Sequence, residues 1–210
     1  DELAARQRPD GSFPLGTWMT GGGLGFPPLD PASLGERDRA FVGTLEALLV
    51  AADARLLHGP WLERAARFLE GEQAEDGAFR LAASLSGPTA VLRGPEDEAA
   101  DVFFTGMIAG LLGGTPLSRA ENLDRAGAWL AARFSPDAVE HDGYAALMAY
   151  AYFFTNVGHE LADEALQWCG RALEKGFRSR RHDAVATMRI VLCCDAQAMP
   201  GAELDVVEVL

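Results

Sequence analysis

Aspartate and histidine residues recur at regular intervals in the C-terminal half of the chain. Asp101, Asp142 and Asp183 follow one another at intervals of 41 residues, and His141 and His182 directly precede the last two. Histidine exchanges a proton near neutral pH, and both residue types bind metal ions. We therefore predict these five residues as catalytic candidates, acting as general acid and base or as metal ligands. The alternative is that the three aspartates cap the N-termini of helices.

A second acidic pattern overlaps the first of these positions, in the run Asp97-Glu98-Ala99-Ala100-Asp101. On a helix the carboxylates of Asp97 and Asp101 share a face and could hold one hard cation, which predicts a metal site. Mg²⁺ suits such carboxylates, whereas Zn²⁺ would suit a site that includes the histidines. The alternative is an acidic first turn that complements the helix dipole.

Apolar segments follow these residues and must position them. The segments 102–112 and 145–154 are apolar on nearly every side, as is typical of helices buried in protein. The segments between them are amphipathic, with apolar residues on one helical face. The sequence predicts inner helices near 37–54, 98–112, 143–155 and 183–196, and outer helices near 59–73, 119–133 and 160–175, with the remnant of another at 1–8.

Alternation of these two helix types predicts an all-α protein in two layers, formed by residues 1–210 as a single α/α-repeat domain. About four inner/outer helix pairs would form a partial or open toroid, with the matching ends of the inner helices meeting at one rim. Two long connections, from Pro14 to Gly35 and from Leu81 to Pro95, are predicted as lids, binding elements or disordered segments.

One segment of the sequence occurs twice. Residues 3–13 return 66 residues later as residues 69–79, and Leu, Gln, Asp, Gly and Phe keep their places in both copies. A glutamine side chain can bond free backbone groups at a helix end, and glycine allows a tight turn. We therefore predict that Gln7 and Gln73 have structural rather than catalytic roles.

The run from Arg64 through Ala65, Phe68, Leu69, Gln73 and Gly77 to Phe79 resembles the QW repeat of squalene–hopene and oxidosqualene cyclases, with Phe79 in place of the closing Trp. Residues 3–13 are similar to the second half of that repeat and residues 125–130 to its first half. The resemblance implies the terpenoid cyclase and protein prenyltransferase family, whose complete toroid has six helix pairs. A homodimer or a partner chain would then complete the toroid of this protein.

The resemblance implies an enzyme of isoprenoid metabolism that acts on a prenyl or other hydrophobic small molecule in an apolar central cavity. Aromatic rings line such cavities and stabilise carbocations. The predicted substrate-binding residues are Phe103, Phe104, Tyr144 and Tyr150, for which core packing is the alternative. The acid position of the usual class II motif falls on Ala100, so activation by that acid is not expected. The alternative function is a non-catalytic binding or assembly module on the same scaffold.

Composition restricts the environment and the partners of the chain. The net charge of −13 would repel nucleic acid and anionic membranes. Cys169, Cys193 and Cys194 do not form a disulfide framework, which favours reduced thiols and predicts a cytoplasmic location. No apolar run reaches the length of about 18 residues that a transmembrane helix needs, so none is expected.

Overall fold

The computed structural model describes residues 2–16, 29–82, 94–141, 144–181 and 184–193. All regular elements within these ranges are α-helices, which confirms the predicted all-α class. In chain order they are α1 (Glu2–Ala5), α2 (Glu36–Asp53), α3 (Pro60–Gly71), α4 (Pro95–Gly113), α5 (Ala120–Ala131), α6 (Pro136–His141), α7 (Tyr144–Asn156), α8 (Ala162–Arg178) and α9 (Ala184–Cys193).

The described helices include the two types that the sequence predicts, but α9, which is predicted as an inner helix, leaves Val185 75% exposed. In α7, Tyr144 and all of residues 146–154 are buried, whereas α3 buries only Leu62, Ala65, Ala66 and Leu69 along one face. Helices α2, α4, α7 and α9 contact one another in that order, and α3, α5 and α8 pack against α2, α4 and α7 respectively. Burial of one face against an inner helix leaves the opposite face of each outer helix exposed to water.

The predicted helix boundaries differ from the observed ones by a few residues, and one helix was not predicted. Helix α6 begins at Pro136, and the hydroxyl of Ser135 accepts a hydrogen bond from the backbone N–H of Ala138 at 3.1 Å. Serine followed by proline is a recognised start signal, so the sequence did contain the information. No described helix is both long and apolar enough to cross a membrane.

Two glycines set the contact between α4 and α7, which is the most extensive helix pair in the described residues. A Cβ atom on Gly106 would lie 2.6 Å from the carbonyl oxygen of Ala149, and one on Gly110 would lie 2.8 Å from the carbonyl carbon of Tyr152. The two helices therefore run in the same direction with their backbones in close approach, which only glycine permits.

The second copy of the sequence repeat forms a hydrogen-bonded clamp between successive outer helices. The Nε2 atom of Gln73 donates to the carbonyl of Gly77 and to that of Asn122 in the first turn of α5, both at 2.9 Å. Gly77 has a φ of 97°, in the left-handed region. The backbone N–H of Phe79 donates to the hydroxyl of Thr105 on α4 at 2.9 Å. One short loop therefore connects α3, α4 and α5.

The first copy forms the same clamp one unit earlier. The Nε2 atom of Gln7 donates to the carbonyls of Gly11 at 2.9 Å and Trp61 at 2.8 Å. Gly11 has a φ of 93°, and the N–H of Phe13 donates to the hydroxyl of Thr44 at 3.0 Å. The structural roles predicted for Gln7 and Gln73 are confirmed by these bonds.

The two clamps differ at one atom. The Oε1 atom of Gln73 accepts a hydrogen bond from Nη2 of Arg125 at 3.0 Å, whereas Oε1 of Gln7 has no hydrogen-bond partner among the described residues. The residues that receive the clamps, such as Thr44 and Thr105, are 61 residues apart, although the clamps themselves are 66 apart. The first copy therefore has five more residues between its clamp and the receiving threonine than the second copy, 31 from Phe13 to Thr44 against 26 from Phe79 to Thr105.

Candidate functional site

A cavity of about 1030 Å³ lies between α2, α4, α7 and α9 in the described part of the chain. Much of its wall is apolar and includes Leu57, Leu111, Tyr152, Val185 and Met188. The volume is at the upper end of the range of roughly 300–1,000 Å³ that is usual for small-molecule sites. The lining residues of α4 and α7 come from the C-terminal halves of these helices, so the cavity lies far from their N-terminal turns.

Three charged residues also line this cavity. Nη2 of Arg189 on α9 donates to Oδ2 of Asp53 at the end of α2, at 3.3 Å. Arg55, which follows α2, is exposed and has a φ of 57°, in the left-handed region. The ion pair connects α2 and α9 across the cavity.

Exposed apolar side chains occur within four residues of these charges in sequence. The exposed large hydrophobic residues of the described chain are Val50 at 52%, Leu56 at 52% and Val185 at 75%. Val185 lines the cavity, and Leu56 lies between two residues that line it. Exposed apolar surface of this kind is typical of a site for an apolar ligand or partner.

The predicted catalytic residue Asp101 lies inside α4, at the opposite end of the helix from the cavity. It is 5% exposed, and Nε of Arg80 lies 3.6 Å from its Oδ2 atom. The observed N-cap of α4 is Gly94, so the alternative that Asp101 caps the helix is wrong. At about 1.5 Å per residue, Asp101 lies roughly 13 Å along the helix from Gly110 at the cavity.

The first turn of α7 lies at the same end as Asp101, whereas Ala184 and Val185 in the first turn of α9 line the cavity. Gly106 and Ala149 face each other across the two helices, so Asp101 and Tyr144, each five residues earlier, are level. The hydroxyl of Tyr144 donates to the carbonyl of Ala186 in α9 at 2.7 Å. His141 is the last residue of α6, and its side chain is not among those described; Asp142, His182 and Asp183 lie outside the described residues. The catalytic roles of these residues stay predictions.

Asp101 borders a smaller recess of about 390 Å³ that is lined mainly by charged groups. Nη2 of Arg80 donates to Oδ2 of Asp76 at 2.6 Å. Burial of Asp76 acts to raise its pKa, but the bonds from Arg80 and from the N–H of Ala78, with the charge of Arg80, hold the pKa below its ordinary value of 3.8. Arg80 therefore balances two carboxylates, those of Asp76 and Asp101.

A second arginine lies on the other side of this recess. The guanidinium carbon of Arg133 lies 3.8 Å from the ring centroid of Trp129, and its Nε atom is 3.3 Å from Oε1 of Glu98. The recess thus contains alternating charges that connect the start of α4 with the end of α5. Each charged group described in it has an opposite charge nearby.

The predicted metal ligands have protein partners in the structure. Asp97 is fully buried, and its Oδ2 atom accepts the N–H of Gly94 at 2.9 Å, as in an acidic first turn. Asp101 faces Arg80 instead. No cluster of three or more His, Cys, Asp and Glu side chains that could hold a metal ion occurs within the described ranges. Binding of Mg²⁺ or Zn²⁺ stays a prediction.

The four predicted substrate-binding aromatics lie in helix contacts and do not line the cavity. Phe103 and Phe104 are fully buried, and the ring of Phe104 contacts that of Phe41 at 5.3 Å between centroids. Tyr150 packs edge-on against Phe134 at 5.2 Å. The aromatic residue of the cavity wall is Tyr152, two residues further along α7 than Tyr150. These contacts agree with the alternative that the aromatic residues pack in the core. Substrate binding by the four residues stays a prediction.

Sequence reasoning also missed the charged residues of the cavity, Asp53, Arg55 and Arg189. The available signal was Arg189, which interrupts an otherwise apolar segment.

Comparisons of the chain with known protein families, with curated proteins and with solved structures found no match. The resemblance to the QW repeat therefore depends on the residues of the clamps themselves.

Proposed function

We propose that this protein binds a prenyl or other hydrophobic small molecule in the cavity between α2, α4, α7 and α9, on a scaffold of the terpenoid cyclase and prenyltransferase kind. The observation that carries the proposal is the apolar wall of this cavity, with Leu57, Leu111 and Met188, beside exposed Val185. Apolar surface that is left open to water favours the binding of an apolar ligand.

The proposed scaffold is a short toroid of inner and outer helices. Two equivalent clamps at successive seams, each with a glutamine that donates to two carbonyls, support a repeating helix-pair architecture. The parallel course of α4 and α7 is what such repeats require, because each outer helix returns the chain to the same end. The Asp53–Arg189 contact between α2 and α9 favours a ring of four inner helices.

Two observations favour a binding protein over an enzyme that starts its reaction with an aspartic acid. Ala100 occupies the acid position of the class II motif, and it is 2% exposed. Asp101, the adjacent carboxylate, has Arg80 as a neighbour and lies roughly 13 Å along α4 from the cavity. A ligand in the cavity therefore meets no carboxylic acid of that motif.

A cyclase- or prenyltransferase-like enzyme is the second candidate function. Its support is that Asp101 lies at the same height along α4 as the first turn of α7 does along its own axis. A hydrogen bond from Tyr144 to Ala186 connects that turn with the first turn of α9. In sequence, His141 lies three residues before the start of α7 at Tyr144, and His182 lies two residues before the start of α9 at Ala184. A prenyl chain long enough to extend from the cavity along α4 would approach Asp101, and this candidate function assigns His141 and His182 to the same site.

Displacement of an environment-sensitive apolar dye by a prenyl alcohol tests the binding function. Met188→Trp should weaken binding by roughly tenfold, because the indole takes up space in the cavity. Ala128→Trp, on the exposed face of α5, adds the same group to the outside and should leave the affinity unchanged. Equal affinities of the two variants would place the ligand elsewhere and refute the proposal.

Product analysis by mass spectrometry distinguishes the enzyme from the binding protein. The protein is incubated with prenyl diphosphates and Mg²⁺, and with the corresponding alcohols. Formation of a cyclised or transferred product that is lost in Asp101→Ala, His141→Ala and His182→Ala would establish the enzyme. Bound ligand recovered unchanged, with the three variants equal to the unsubstituted protein, would establish the binding protein.

A further inference from the structure

The charge of the cavity differs in sign from that of the whole chain. The described residues that line it include two arginines, Arg55 and Arg189, and one carboxylate, Asp53, so these three side chains carry a net charge of +1. The whole chain has a net charge of −13. A positive opening on an acidic protein selects for anions, because they meet attraction there and repulsion elsewhere.

We infer that the natural ligand is an amphiphile with an anionic head group, an inference that rests on the proposed apolar binding function. The head group binds at Arg55 and Arg189, and the tail packs against the apolar wall near Leu111 and Met188. Guanidinium groups bind carboxylate and phosphate oxygens through charge-assisted hydrogen bonds. Arg189 has a side chain that is 24% exposed, so a bound anion can reach it from the opening.

The ion pair of Arg189 with Asp53 does not compete strongly with such a ligand. The Asp53 side chain is 38% exposed, and the two groups are 3.3 Å apart. Ion pairs that remain open to water contribute little, because solvent screens them. A ligand anion that is partly enclosed by the cavity can therefore take over this contact.

Arg55 occupies a backbone position that normally favours glycine. It follows α2 with a φ of 57°, and the N–H of the next residue, Leu56, donates to the carbonyl of Ala51 at 2.7 Å. This is the helix-ending motif in which glycine avoids the strain that a side chain causes. Arg55 thus keeps a charged side chain beside the cavity at a position where glycine would relieve the backbone strain.

The same motif occurs away from the cavity and supplies a matched control. Arg180 follows α8 with a φ of 59°, and the N–H of Arg181 donates to the carbonyl of Gly176 at 2.8 Å. Arg180 does not line the cavity. Arg55→Gly and Arg180→Gly therefore make the same chemical change in the same backbone setting, and only the first removes a charge from the opening.

The test compares three probes of one tail length by isothermal titration calorimetry: decanoate and decyl phosphate below their micellar concentrations, and decanol below its solubility limit. At least one anion should bind about tenfold more tightly than decanol, and Arg55→Gly should remove several-fold of that preference. Arg180→Gly should bind all three probes like the unsubstituted protein. Added salt should weaken binding of the anion and leave that of decanol unchanged.

Each result decides a separate point. Equal binding of decanol and both anions, or equal effects of the two glycine variants, would overturn the head-group inference and leave the apolar site intact. Absence of binding by all three probes would overturn the proposed function and the inference with it. If the protein binds one of the two anions more tightly and Arg55→Gly removes that difference, the result supports the inference and identifies the head group.

Discussion

Gly77→Ala should strongly destabilise the protein, because two separate effects act at this position. A φ of 97° is strained for any residue with a Cβ atom, at a cost of about 1–3 kcal/mol. The added Cβ would also lie 2.6 Å from the carbonyl carbon of Arg125 and closer still to its oxygen. That neighbour is backbone of α5, which cannot rotate away, so overpacking adds about 1–3 kcal/mol. We expect the free energy of unfolding to fall by about 3 kcal/mol or more.

Urea unfolding followed by far-ultraviolet circular dichroism measures this loss, with the slope of the linear extrapolation expected to stay constant. Gly71→Ala is the control, since Gly71 ends α3 and no atom lies within 4 Å of an added Cβ. That variant should be as stable as the unsubstituted protein, or more stable by up to about 1 kcal/mol. Gly11→Ala should resemble Gly77→Ala, because the first clamp has the same geometry.

A Gly77→Ala protein within about 0.5 kcal/mol of the unsubstituted one would refute this reasoning. It would mean that the loop can turn without a left-handed residue and that the contact with α5 is loose. A large loss in Gly77→Ala with none in Gly11→Ala would refute the equivalence of the two clamps.

Three further outcomes are expected. Gln73→Leu should lower the free energy of unfolding by about 1 kcal/mol more than Gln7→Leu, because only Gln73 accepts a further bond from an arginine; equal losses in urea would contradict this. Gly106→Ala should cost about 2–3 kcal/mol by separating α4 from α7, and an unchanged melting temperature would count against it. The pKa of Asp76 is lower in the folded protein than in the unfolded chain, so the ionised carboxylate stabilises the fold. This stability is present above the pKa of the unfolded chain and is lost as the pH falls through the pKa of the folded protein. Asp76→Asn should therefore reduce the fall in melting temperature between about pH 6 and about pH 3. A variant whose melting temperature falls as much as that of the unsubstituted protein would exclude this role.

The sequence predicts well what depends on local patterns. Apolar residues on every side identify α4 and α7 as buried, and a single apolar stripe identifies α3. The clamp is likewise local at its donor end, since Gln73 and Gly77 are four residues apart and bond each other directly. Spacing and residue type suffice for such features.

The distant half of each clamp could not be predicted in this way. Gln7 and Gln73 bond the backbone carbonyls of Trp61 and Asn122, which are 54 and 49 residues away. Every residue has a carbonyl, so an acceptor of this kind leaves no trace in the residue types. The sequence interval of 61 that relates Thr44 to Thr105 becomes evident only when both threonines are seen to receive a clamp.

The position of the cavity was not predictable for a related reason. When a helix is apolar all round, as α4 and α7 are, periodicity does not show which of its sides faces a cavity and which faces another helix. Tyr150 and Tyr152 are both buried on α7, yet only Tyr152 lines the cavity. The predicted site residues Asp142, His182 and Asp183 lie outside the described residues, so their grouping with Asp101 is still a prediction.

The glycine contact between α4 and α7 divides the cavity into a stiff side and a compliant side. Separating these two helices would break backbone contacts at Gly106 and Gly110 together. A shift of α9 would instead disturb side-chain contacts, such as the partly exposed ion pair of Arg189 with Asp53 and the hydrogen bond from Tyr144 to Ala186. On the proposed binding function, adjustment of the cavity to ligands of different width falls to α9, and amide exchange in residues 184–193 should slow when the cavity is filled.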